Sequence, residues 1–129
     1  MSSAGSDSVS TSALRGRSVL VVEDETLVAM LVEDTLVDAG ATVVGPAATV
    51  AQALDLLSRE SPQMAVLDMN LAGETSESVA DALVARGVPF VVASGYGAAG
   101  VPERFASAPV LSKPYAPEDL TAALAALAG

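Results

Sequence analysis

Five short apolar runs alternate with segments of helical period, and that alternation restricts the fold of this chain more than any other feature. The runs cover residues 19–22, 41–44, 64–67, 88–93 and 110–111. A strand that is apolar at nearly every position must be covered on both faces, which is the condition of a parallel sheet between two helical layers. The expected fold is therefore α/β, with five βα units.

Local signals place the connecting helices. Residues 25–39 read as a helix stopped by Gly40, and residues 76–86 as another stopped by Gly87. Thr49 offers an N-cap, with Gln52 three residues on completing a capping box for a helix running to about Arg59. Leu54 and Leu57 lie on its buried side. Gly45-Pro46 is expected to end the second strand. The last helix opens with Pro117 and carries Glu118 and Asp119 near its positive end, with Leu120, Leu124 and Leu127 as its core stripe. The weakest unit lies between strands four and five. Gly97, Gly100 and Pro102 penalise helix there, leaving residues 103–106 for a turn or two of fraying helix.

A length of 129 residues fits one domain with a single core. Residues 1–17, Ser-rich and without an apolar signal segment, read as a disordered tail, and residues 18–129 as the domain. No output domain is expected, and no apolar stretch is long enough to cross a bilayer, so a cytoplasmic location is expected. Sixteen acids against 6 bases give a formal net charge of −10, which argues against nucleic acid and against an anionic membrane surface. With no Cys and no His, thiolate chemistry, thiolate zinc sites and a phosphohistidine on this chain are excluded. Carboxylates, hydroxyls and a single amine remain.

Those groups cluster where ligands collect in open parallel sheets, beyond the carboxyl ends of the strands. Glu23 and Asp24 follow strand one, Asp68 strand three, Ser94 strand four, and Lys113, the only lysine, strand five. Hard cations such as Mg²⁺ take oxygen ligands, so Asp24 and Asp68 are candidate direct ligands, Glu23 a ligand through water and Asn70 a backbone-carbonyl donor. Asp68 is a candidate nucleophile toward phosphorus, with Lys113 and Ser94 to neutralise phosphoryl oxygens. Each residue has a plainer role. Asp24 could cap the following helix, Glu23 could be a solvated first-turn acid, Asp68 or Ser94 a turn residue, and Lys113 a snorkelling surface cation. The combination favours the site.

The motifs Val21-Val22-Glu23-Asp24-Glu25, Leu67-Asp68-Met69-Asn70-Leu71, Ala93-Ser94-Gly95 and Lys113-Pro114 resemble a response-regulator receiver domain of bacterial two-component signalling. The resemblance covers residues 18–128. It implies a flavodoxin-like, doubly wound (βα)5 fold with strand order 2-1-3-4-5, Mg²⁺, and phosphorylation of Asp68 by a sensor histidine kinase. It also implies a cis peptide before Pro114. The run from Arg86 to Gly97 is similar to stand-alone receivers with a Pro-Phe-x-Phe-Ala-Thr-Gly-Tyr signature (the FAT GUY type), Val92 and Ser94 replacing Phe and Thr. That branch suggests a kinase of the HWE type. Asn70 and Tyr96, each two residues past a site residue, would tune the lifetime of the phosphoryl group.

Two departures stand out. Val110 occupies the position, three before the lysine, where many receivers carry a switch aromatic, and Ala72 stands where many have Pro. Tyr96 is a candidate substitute for the aromatic, and ordering of residues 97–105 a candidate response to phosphorylation. The first helix is apolar without interruption from Leu27 to Val32, more than one stripe requires, and its spare face suits a kinase helix pair. The competing functions are a metal-dependent phosphatase-like or Toprim-like enzyme, disfavoured by Asn70 where a second Asp would be needed, and a receiver-like binding module that is not phosphorylated.

Overall fold

The computed structural model describes residues 13–71 and 73–128. Its sheet contains β1 (Ser18–Val22), β2 (Thr42–Ala47), β3 (Met64–Asp68), β4 (Phe90–Ser94) and β5 (Val110–Ser112). All neighbours are parallel, in the order β2-β1-β3-β4-β5. The chain moves outward from β1 to β2 and then returns to β3 on the other side of β1. That reversal opens a crevice beyond the carboxyl ends of β1 and β3.

Among the described residues, the sheet is covered by α1 (Thr26–Asp38), α2 (Val50–Arg59), α3 (Glu77–Ala85) and α4 (Pro117–Ala128). Alternation along the strands divides the core in two. Leu20, Val22, Ala65, Leu67 and Val92 pack with Ala53 and Leu57 of α2 and with Val79, Ala80 and Leu83 of α3. Val19, Val21, Met64, Val66 and Val91 pack with Val32 and Leu36 of α1 and with Leu120 and Leu124 of α4. At the start of α2, the Gln52 amide donates to Thr49 Oγ1 at 3.1 Å, while the Gln52 side chain accepts from the Ala48 amide at 2.8 Å. The cap is thus closed one residue earlier than an ideal box.

Three local expectations are corrected. The tail does not extend to Arg17. Residues 1–12 lie outside the described residues, but Leu14 is fully buried in the α1/α4 core. The Gly16 amide also donates to the Gly40 carbonyl at 2.8 Å. Burying one leucine contributes about 1.5–3 kcal/mol, enough to hold so short a turn.

Gly45-Pro46 does not end β2, which continues to Ala47 through an irregularity in its register with β1. Gly45 has φ of 100°, and a Cβ there would lie 2.9 Å from the Ala47 nitrogen and 3.0 Å from the Val21 carbonyl, so only glycine fits. The Gly45–Pro46 peptide is cis. The continuation lets the Glu23 amide donate to the Ala47 carbonyl at 2.9 Å, which anchors the chain where it enters the site.

No α-helix forms between β4 and β5. Two 3-10 turns, Gly97–Gly100 and Glu103–Phe105, take its place. The glycines and Pro102 deny that segment a continuous helix, yet its end is well anchored. Phe105 is buried edge-on against Phe90, with ring centroids 6.2 Å apart. Arg104 lies over the Phe105 ring and bridges Glu77 and Asp81 of α3 at 3.1 Å each. These contacts anchor the end of the segment against β4 and α3. The expected looseness at Ala72 lies outside the described residues.

Candidate functional site

Parallel register aligns the strand ends. Val22 pairs with Leu67, Asp68 with Ala93, and Ser94 with Ser112, so Glu23, Asp68, Ser94 and Lys113 emerge on one rim. The Lys113 amide donates to the Ser94 carbonyl at 3.0 Å, locking these two residues side by side. The Lys113–Pro114 peptide is cis.

Lys113 Nζ donates to Asp68 Oδ2 at 2.9 Å and lies 3.5 Å from Glu23 Oε1 and 3.7 Å from Glu25 Oε1. Its side chain is only 21% exposed, so it is not a snorkelling surface lysine. Glu23, Asp24 and Asp68 each offer a carboxylate oxygen, all within 4.8 Å of one another. Glu23 and Asp68 are buried and Asp24 is half-buried. The N-cap of α1 is Glu25, one residue beyond Asp24, and the Glu25 amide donates to Glu23 Oε2 at 3.1 Å. The N-cap position thus falls on Glu25 rather than on Asp24, and Glu23 is not a solvated acid.

Charge in this group is unbalanced, since one ammonium faces several carboxylates. Burial pushes the Glu23 carboxyl up to about 7. The charge and hydrogen bond of Asp68 add to the rise, while the Glu25 amide and Lys113 oppose it. Burial alone would lower the Lys113 pKa, but the hydrogen bond and charge of Asp68, with Glu23 and Glu25, outweigh it and hold the ammonium up to about 12. Tyr115 is likewise raised to about 12, by burial first and then by Glu23. A compact set of hard oxygen donors with surplus negative charge suits a divalent cation such as Mg²⁺.

The remaining expected residues occupy the same neighbourhood. The Asn70 amide donates to Asp68 Oδ1 at 3.2 Å, and Asn70 pairs with Thr75 in a two-residue antiparallel ladder. Ser94 is 3% exposed, and its Oγ accepts from the Tyr96 amide at 3.1 Å. Tyr96 itself is 80% exposed. A cavity of about 900 Å³ opens from Asp24, Asp68, Asn70, Tyr96 and Lys113 toward an apolar wall that includes Val28 and Leu31 of α1.

Sequence reasoning overlooked three supports of the site. Glu25 lies in the acidic run that marks the site, yet only the return of its side chain to Lys113 shows its involvement. Tyr115 is separated from Lys113 by one residue and lines the same cavity. Ser76 is fully buried and donates through Oγ to the Asp68 carbonyl at 2.6 Å. A serine before a helix reads as a cap, and no sequence signal distinguishes it from this anchor.

A doubly wound parallel sheet with an acid trio and a lysine at its carboxyl rim defines a receiver-type module. The family model for the response regulator receiver domain matches residues 19–125, and the chain belongs to that family. Its members are in general signalling proteins rather than catalysts. The chain is similar to SdrG from Sphingomonas melonis Fr1, with 46% identity, a TM-score of 0.77, and coverage of 89% of this chain and 97% of that one. The BeF3-activated conformation of SdrG, from Pseudomonas melonis Fr1, matches at 43% identity and a TM-score of 0.74, covering 87% and 96%. The response regulator PhyR from Brucella abortus matches at 28% identity and a TM-score of 0.75, covering 95% of this chain and 51% of PhyR. The chain thus spans about half the length of the PhyR proteins it resembles. No curated protein matches it.

Proposed function

We propose that this chain is a single-domain response regulator that accepts a phosphoryl group on Asp68 from a phosphohistidine of a sensor kinase. An Asp68 carboxylate oxygen attacks phosphorus, a P–O bond forms, and the P–N bond to the kinase imidazole breaks with its electron pair returning to nitrogen. Lys113 leaves its ion pair with Asp68 to meet a phosphoryl oxygen, and the Ser94 hydroxyl donates to another. Such transfer depends chiefly on positioning and charge neutralisation. Glu23, Asp24, Asp68 and the Asn70 carbonyl would hold Mg²⁺, which when bound supplies charge neutralisation for the phosphoryl oxygens.

The observation that carries this reading is the 2.9 Å contact between Lys113 Nζ and an Asp68 oxygen, set against three carboxylates within 4.8 Å. A structural ion pair would not require the surplus acids. Asn70 and Tyr96 flank the approach to Asp68 and Ser94 and tune the lifetime of the phosphoryl group. The similarity to SdrG over nearly the whole of that chain supports a stand-alone receiver, and the run from Arg86 to Gly97 is what suggests a kinase of the HWE type. The exposed apolar residues Leu27, Met30 and Leu31 of α1 suit docking of a kinase helix pair beside the cavity. The described residues contain no helix long and apolar enough to span a membrane. A cytoplasmic location belongs to this reading as the place where a sensor kinase would meet its receiver.

Acetyl phosphate with Mg²⁺ tests the reading directly. One phosphoryl mass should appear on the intact protein, and Asp68→Ala should abolish it. An unmodified wild-type chain, or a variant that is still modified, would overturn the proposal.

A further inference from the structure

The side chain of Glu25 is not explained by its place in the chain. It is the N-cap of α1, where the short side chains of Ser, Thr, Asp and Asn are favoured, and it makes no side-chain capping hydrogen bond. The helix dipole favours an acid there, but Asp would serve both the dipole and the cap. The Glu25 amide supports the site by donating to Glu23 Oε2 at 3.1 Å, which any residue but proline could do.

The carboxylate turns instead toward the cavity. Glu25 Oε1 lies 3.7 Å from Lys113 Nζ, too far for a hydrogen bond, while Asp68 holds the same ammonium at 2.9 Å. Of the three acids facing Lys113, Glu23 and Asp68 are buried and Glu25 is 66% exposed. Glu25 is thus the outer charge, on the wall of the cavity through which Asp68 is reached. Glu23, Asp24 and Asp68 already gather three carboxylate oxygens within 4.8 Å, so a cation does not require it.

Displacement at phosphorus runs roughly in line, so the leaving atom points away from Asp68 and out into the cavity that Glu25 lines. The phosphoryl group is the same from every donor, but the leaving group differs in charge. From acetyl phosphate, the P–O bond breaks with its electron pair passing to the acetate oxygen, which gains negative charge. From a phosphoramidate protonated on nitrogen, the P–N bond breaks with its pair passing to nitrogen, which still carries part of its positive charge in the transition state. A carboxylate beside the exit opposes the first and favours the second.

We propose that Glu25 is a specificity-determining residue that selects donors with a protonated nitrogen leaving group, phosphohistidine and simpler phosphoramidates, over acyl phosphates. The inference rests on the phosphoacceptor reading and deepens it by assigning the choice of donor to one side chain.

Second-order rate constants for phosphoryl mass gain, measured with phosphoramidate and with acetyl phosphate in the presence of Mg²⁺, test it. Glu25→Gln should lower the ratio of the phosphoramidate rate to the acetyl phosphate rate several-fold, and Glu25→Asp should retain most of it. Added salt should lower the ratio more in wild type than in Glu25→Gln, because an exposed charge is screened. Any loss of fold, or displacement of Lys113 or the cation, slows both donors alike and leaves the ratio unchanged. An unchanged ratio in Glu25→Gln therefore overturns the inference alone. Wild-type protein that gains mass from neither donor overturns the phosphoacceptor reading and the inference with it.

Discussion

Ser76 Oγ donates a 2.6 Å hydrogen bond to the carbonyl of Asp68, tying the start of α3 to the last residue of β3. Both residues are buried, so water cannot replace the bond. The phosphoacceptor is thereby held from behind through its main chain, while Lys113 and the Asn70 amide hold its side chain.

Ser76→Ala removes that donor and leaves the carbonyl one partner short. The expected loss of stability is about 1–3 kcal/mol, read by chemical denaturation. Phosphorylation by acetyl phosphate should slow as well, because the Asp68 backbone gains freedom. Wild-type stability in the variant would show that the bond contributes nothing.

Glu23 makes the metal-free protein sensitive to pH. Its carboxyl titrates near 7 when folded, against an ordinary value of 4.5, so between those values the folded chain carries a proton that the unfolded chain has released. Stability contributed by the protonated form is full below about 4.5 and is lost as pH rises through 7. With chelator present, the melting temperature should fall across that window, and Glu23→Gln should flatten the fall. Added Mg²⁺ should restore stability at the upper end in wild type and much less in the variant.

Phe105 and Arg104 secure the same 3-10 turn with very different strengths. Phe105 is buried, and Phe105→Ala should cost about 3–5 kcal/mol through transfer and cavity terms. Arg104 is half exposed, and its bridges to Glu77 and Asp81 are open to solvent. Arg104→Ala should cost far less than Phe105→Ala, because solvent screens exposed bridges. Denaturation midpoints at equal m-values would rank the two, and a reversed order would refute this account of the segment.

Val28 lines the cavity wall on α1 and is half-buried. Val28→Asp should block transfer from the cognate kinase while leaving phosphorylation by acetyl phosphate near the wild-type rate. A parallel loss with both donors would assign Val28 to the fold rather than to docking.

Much of this molecule is legible in the linear chain because burial dictates residue type. Strands covered on both faces must be apolar throughout, and Val, Leu and Ala fill β1, β3 and β4 for that reason. Carboxylates, a hydroxyl and one lysine interrupting such runs at their carboxyl ends are costly unless they meet, and in the fold they do. Gly45-Pro46 misleads for a related reason. Local rules make it a turn, but pairing with β1 carries the strand past it and gives the Glu23 amide its acceptor.

Composition and periodicity alone determined an α/β sheet with polar groups at one rim, because hydrophobic burial and helical period are encoded in neighbouring residues. Tertiary structure alone decided that Leu14 joins the core, that Ser76 supports Asp68 from behind, and that Glu25 turns back to Lys113. Such contacts join residues separated by up to dozens of positions, and their energies depend on distances of a few ångströms that exist only after the sheet and helices have packed.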